Sequence, residues 1–158
     1  MMTDTSTDQR ASGVRPHLVG RRPPVVSAAF DLLDTARRDL AEAMTTTVPT
    51  ERYAAAHLAA LRTAAAVLAV RTRPAATKRP RNVWTLLPQV APELTEWAAF
   101  FAAGADRRAA VEAGRVEALP VREADDQLRA AETFVQLVED ALGLERHPAL
   151  PVLRPALP

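Results

Sequence analysis

Apolar residues return every three or four positions along most of the chain, the spacing that lays one stripe along the face of an α-helix. The first such segment opens at Ser27, a side chain suited to capping a helix N-terminus, and runs to about Met44. Its stripe is Val26, Ala29, Leu33, Ala36, Leu40 and Ala43. A second helix opens at Pro49 or Thr50 and continues to about Arg71. Ala54, Leu58, Leu61, Ala65 and Leu68 share one of its faces, and His57, Ala60, Ala64 and Val67 an adjoining one. Two apolar stripes and few charges predict that this helix lies deepest in the core. Asn82 caps a short turn through Val83, Trp84, Leu86 and Leu87, after which Pro88 and Pro92 frame a third main helix ending at Gly104, with Val90, Leu94, Trp97 and Phe101 as its seam. Ala105 to Ala113 reads as a brief helical piece between Gly104 and Gly114. The last helix, Val121 to Leu142, alternates steps of three and four without a miss through Val121, Ala124, Leu128, Ala131, Val135, Val138 and Leu142, and Gly143 stops it. No segment carries the two-residue period of a strand. The expected fold is all-α: a four-helix up-and-down bundle with a short extra helix before the last.

Composition sharpens this picture. Ala occupies 33 of 158 positions while Phe, Trp and Tyr supply seven, so thin helices must pack closely. Residues 1–24 are rich in Thr, Ser, Asp, Arg and Pro and read as a disordered arm; residues 144–158 carry four prolines and read as an extended tail; residues 25–143 form the bundle. The absence of Cys removes disulfides, thiolate catalysis and Cys-ligated zinc. A net charge of +1 argues against bulk electrostatic capture of nucleic acid or membrane. Arg21 and Arg22 are not followed by the apolar region of a signal peptide, and the longest uninterrupted apolar runs, Ala64 to Val70 and Trp97 to Ala103, reach only seven residues. The expectation is a cytoplasmic protein with no membrane partner.

Three segments together resemble a known family: RYAAAHLAALRTAAAVLAVR from Arg52, RNVWTLLPQVAPELTEWAAFFAAG from Arg81, and EADDQLRAAETFVQLVEDAL from Glu123. They are similar to the HEPN domain (higher eukaryotes and prokaryotes nucleotide-binding), in a small SAV-like subfamily of high-GC bacteria. The resemblance spans about Val25 to Gly143. It implies a bundle of four or five helices, commonly a homodimer, whose relatives include metal-independent RNases, toxins and partners of nucleotidyltransferase-fold proteins. The RNase members carry an Arg, four to six residues, then His. Arg52 and His57 match that spacing, but in the second helix, whereas Arg122 to Leu142, where the motif usually sits, holds no His.

His57 is the one imidazole outside the two tails, so acid/base chemistry at neutral pH has to use it. In a cleaving enzyme Arg52 would stabilise the phosphorane charge and His57 transfer the proton. A step of five residues turns a helix by ~500°, leaving the two side chains ~140° apart, so one face cannot present both unless the first turn frays. The favoured expectation is that His57 packs beside Tyr53 at a helix seam and that Arg52 is solvated. Residues 71–81 hold Arg71, Arg73, Lys78, Arg79 and Arg81 with two prolines and no acid, a loop read as a solvated linker, a phosphate or RNA contact, or a segment docking on a second subunit. Residues 82–146 carry 12 acids against six Arg. Glu123, Asp125, Asp126 and Glu132 suit the start of a helix and lack the Glu-x-x-His partners of a bundle metal centre, so no metal or cofactor is expected. Trp84, Trp97, Phe100 and Phe101 are core or interface residues, and any that stand exposed would mark a partner surface. The expected function is a non-catalytic, dimeric binding module engaging a partner protein or an RNA or nucleotide ligand. The alternative is a metal-independent HEPN ribonuclease of toxin or defence type using Arg52 and His57.

Overall fold

The computed structural model describes residues 24–72, 82–116 and 118–143. Within them are five α-helices, α1 (Pro24–Thr45), α2 (Pro49–Arg71), α3 (Val83–Val90), α4 (Thr95–Glu112) and α5 (Val121–Ala141), with a 3-10 turn at Pro92–Leu94 ahead of α4. The all-α bundle stands, with four long helices and one short one. Residues 1–23 of the arm, residues 73–81 of the basic segment, and the tail lie outside the described residues, while Pro24, read as the end of the arm, opens α1.

The stripes pack much as their spacing requires. On α1, Ala29, Leu33, Ala36 and Ala43 are buried; on α5, Ala124, Ala131, Val135 and Val138 are. α2 is the central rod, touching α1, α3, α4 and α5. Its buried face is the one that carries His57, Ala60, Ala64 and Val67, widened by Ala56, Ala59 and Ala66, while Leu58, Leu61 and Leu68 lie at its edges. Ala on the inward side lets neighbouring axes approach closely, so the bulky leucines are pushed to the flanks. By length and composition α2 is also apolar enough to cross a membrane, although half of its most apolar window is buried within the bundle. A limit drawn from uninterrupted apolar runs understates such a helix, because isolated polar residues barely lower its mean hydropathy.

Three details differ from the spacing argument. α1 starts at Pro24, so Ser27 lies inside the helix and does not cap it. The turn capped by Asn82, whose Oδ1 accepts from the Trp84 amide at 3.0 Å, grows into α3 and runs through Pro88; this is the short helix, and it precedes α4. Gly104 does not stop a helix: α4 continues through it, absorbing Ala105 to Glu112. The stop is Gly114, at φ +65°, where the Arg115 amide reaches back to Ala110 O and the Gly114 amide to Val111 O, the Schellman pattern.

Two cross-helix ion pairs brace α1. Asp39, buried, pairs with Arg62 of α2, and Glu139, buried on α5, accepts from Arg37 Nε at 2.7 Å. These pairs fix how α1 is rotated against the rest, since each buried carboxylate is costly away from its guanidinium.

Candidate functional site

Where α2, α4 and the start of α5 converge, the chain builds an open groove of about 620 Å³. Its lining includes Tyr53 from α2, Phe100, Ala103, Gly104 and Arg107 from α4, and Pro120, Arg122, Glu123, Asp126 and Gln127 from the approach to α5 and its first turns. Helical spacing explains the α4 wall: Phe100, Ala103, Gly104 and Arg107 fall at i, i+3, i+4 and i+7 of one face. Gly104 marks a close approach. A Cβ there would stand 3.0 Å from Tyr53 Oη and 3.5 Å from His57 Nδ1, so any larger residue requires the Tyr53 hydroxyl to give way by a few tenths of an ångström.

Tyr53 forms the floor. Its ring packs with Leu119 and Ala124, and its hydroxyl donates to Gly104 O over a long 3.5 Å. Burial pushes the phenol pKa up, Glu123 adding to the rise and Arg107 opposing it, so Tyr53 is a neutral hydrogen-bond donor. Above it, Arg107 forks onto Glu123 through Nε at 2.9 Å and Nη2 at 3.0 Å. Phe100 is 47% exposed on the rim, while its neighbours Phe101 and Trp84 are buried.

His57 sits one layer behind this groove and is 1% exposed. Gln127 lies between: its Nε2 donates to His57 Nδ1 at 3.2 Å, an orientation that leaves the imidazole proton on Nε2. Trp84 and Phe101 flank the imidazole edge-on at 5.9 and 6.0 Å. Burial, with a smaller push from Arg108, lowers the His57 pKa to about 4, so the ring is neutral at pH 7.

Arg52 is not solvated, contrary to expectation. It pairs with Asp125 of α5 and donates through Nε to Ala43 O at 3.1 Å and through Nη2 to Thr46 O at 2.8 Å. It thereby ties the α1–α2 turn to the start of α5. The structure gives Arg52 and His57 separate sets of partners, as the angular offset along α2 requires. Replacing Arg52 with Ala strands Asp125 and two carbonyls, and is expected to cost about 2 kcal/mol in urea unfolding. Of the basic segment, Arg71 pairs with Glu93; Arg73, Lys78, Arg79 and Arg81 lie outside the described residues. The acids at the start of α5 are held by arginines: Glu123 by Arg107, Asp125 by Arg52, and Asp126 by Arg129 at 3.3 Å.

Tyr53, Gly104, Arg107, Glu123 and Gln127 were not singled out by spacing as groove residues. The available signal was Tyr53 preceding His57 by four, with Gly104 in an otherwise unbroken helical stretch.

The helices form an all-α bundle around the Ala-rich α2, and the profile of SAV_6107-like HEPN domains matches residues 43–139, well over half of the chain. The chain belongs to the SAV_6107-like HEPN family. No curated protein and no solved structure matches it. Most of α1 precedes the matched span, yet its ion pairs to Arg62 and Glu139 make it part of the same bundle.

Proposed function

We propose that this HEPN domain is a non-catalytic binding module, working as a homodimer that engages a partner protein or a nucleotide-containing ligand. One observation carries the reading: the imidazole needed for RNA cleavage lies behind the groove wall, 1% exposed, with Nδ1 occupied by Gln127. A general base must reach the proton it removes within hydrogen-bond distance. His57 is hydrogen-bonded to Gln127 and packed by Trp84 and Phe101, and Arg52 is committed to Asp125 and two backbone carbonyls.

The test is incubation of the full chain with structured and unstructured RNA in EDTA, alongside His57→Ala, with light scattering to count protomers. Wild type is expected to leave the RNA intact and to elute as a dimer. Metal-independent cleavage that disappears in a folded His57→Ala protein overturns the non-catalytic reading in favour of a ribonuclease; a monomer overturns the dimer.

A further inference from the structure

The groove over Tyr53 has properties that the interaction-module reading does not use. Its volume, about 620 Å³, falls within the range of sites that hold small molecules. Ala103 and Gly104 add little side-chain bulk to its lining, and Pro120 and the 47% exposed ring of Phe100 make up its apolar remainder. A planar ring suits such a lining, since it can stack offset on the exposed Phe100 where Ala103 and Gly104 leave room.

The polar part is unevenly satisfied. Tyr53, 4% exposed, has only the 3.5 Å contact to Gly104 O for its hydroxyl. Arg107 uses Nε and Nη2 on Glu123, and Nη1 has no hydrogen-bond partner among the described residues. The Arg122 side chain is 93% exposed and reaches Asp126 only at 3.9 Å. The carboxylates of Glu123 and Asp126, by contrast, already face guanidinium groups. Donors in reserve beside the apolar Phe100, Ala103 and Pro120 call for a ligand with one anionic end. Two carboxylates in the same lining oppose a second negative charge, so a monoanion suits the groove better than a phosphate dianion.

We propose that this groove binds a small ring-bearing monoanion, an aromatic carboxylate or sulfonate of one or two rings. Its ring lies against Phe100, Ala103 and Pro120, and its anionic group is met by Tyr53 Oη, Arg107 Nη1 and Arg122. This goes beyond the interaction-module reading and stands or falls separately from the RNA-cleavage result.

The probe is anilinonaphthalene sulfonate, titrated by fluorescence onto the full chain and compared with phenylnaphthylamine, which has the same ring systems without the sulfonate. The sulfonate is expected to saturate one site per chain and to be displaced by naphthoate but not by adenosine monophosphate at equal concentration. Tyr53→Phe and Arg107→Gln are each expected to weaken it about five- to tenfold while leaving phenylnaphthylamine unchanged. Ala103→Leu, at an exposed position, fills the slot and is expected to remove both probes. Circular dichroism confirms that each variant is folded; if Arg107→Gln is not, Arg122→Gln replaces it, with an expected loss of about threefold. Non-saturating binding, binding indifferent to Tyr53→Phe and Ala103→Leu, or displacement by the nucleotide in preference to naphthoate overturns the proposal.

Discussion

Phe101→Ala is expected to lower the unfolding free energy by about 4 kcal/mol and the melting temperature by roughly 15 °C. The residue is fully buried on α4, and its ring is the meeting point of Trp84, Trp97, Phe100, Phe134 and His57. Trp84 of α3 stacks on it at 5.3 Å, Phe134 of α5 lies at 5.3 Å, Trp97 at 6.1 Å, and His57 of α2 meets it edge-on at 6.0 Å. A chain with seven aromatic residues has thus spent most of them around one point, where the small Ala side chains of α2 would otherwise leave space. Truncation removes the transfer energy of the ring and leaves a cavity bordered by four helices, which rigid rods cannot close by small shifts. Against a total stability of about 5–15 kcal/mol, the loss is a large fraction. The control is the adjacent Phe100→Ala, whose 47% exposed ring borders the groove and is expected to cost less than about 1 kcal/mol. Urea titration of the two variants, followed by tryptophan fluorescence, separates core from rim; equal losses would mean that the aromatic cluster does not organise the fold.

How far the sequence revealed the molecule varies by element. α2 and α5 were legible because periodicity runs unbroken and their ends carry Pro49 and Gly143. On α5, however, the three-four rule permits either Gln127 or Leu128 after Ala124, and apolarity selects Leu128. The structure buries Gln127 and leaves Leu128 partly exposed, because the carboxamide answers the hydrogen-bonding need of His57 across the seam. The same ambiguity hid Phe134 and Glu139, both buried beside the expected Val135 and Val138, the latter carboxylate held by Arg37. Gly104 was misread because glycine ends helices more often than it admits a neighbour, and the neighbour, Tyr53, lies 51 positions earlier. Contacts of that separation leave no local pattern. The groove was therefore illegible even though each of its walls has helical spacing, since the sequence does not state which faces meet. Arg52 illustrates the converse: its spacing to His57 is visible, and its partners, Asp125 and the carbonyls of the α1–α2 turn, are not.

Acidification from pH 7 to pH 4.5 is expected to destabilise the protein through His57 by roughly 2 kcal/mol. In the unfolded chain the imidazole takes up a proton near its ordinary value of about 6.5; in the folded chain burial and then Arg108 hold the pKa at about 4. Between those values the unfolded state binds more protons than the native state, so stability declines as pH falls, and above about 6.5 the group exerts no pull. Carboxylates titrate in the lower part of the same window, so the fall in wild type alone does not isolate the imidazole. His57→Gln does, because a carboxamide keeps a partner for Gln127 and carries no titratable proton. The variant is expected to be less stable at pH 7, from imperfect packing against Trp84 and Phe101, yet to lose roughly 2 kcal/mol less than wild type on going to pH 4.5. The comparison reads accessibility as well as stability. A His57 that protonates at its ordinary pKa while the chain stays folded would make the two pH profiles run parallel. The imidazole would then be within reach of solvent, the condition that a ribonuclease needs and that the proposed non-catalytic reading excludes.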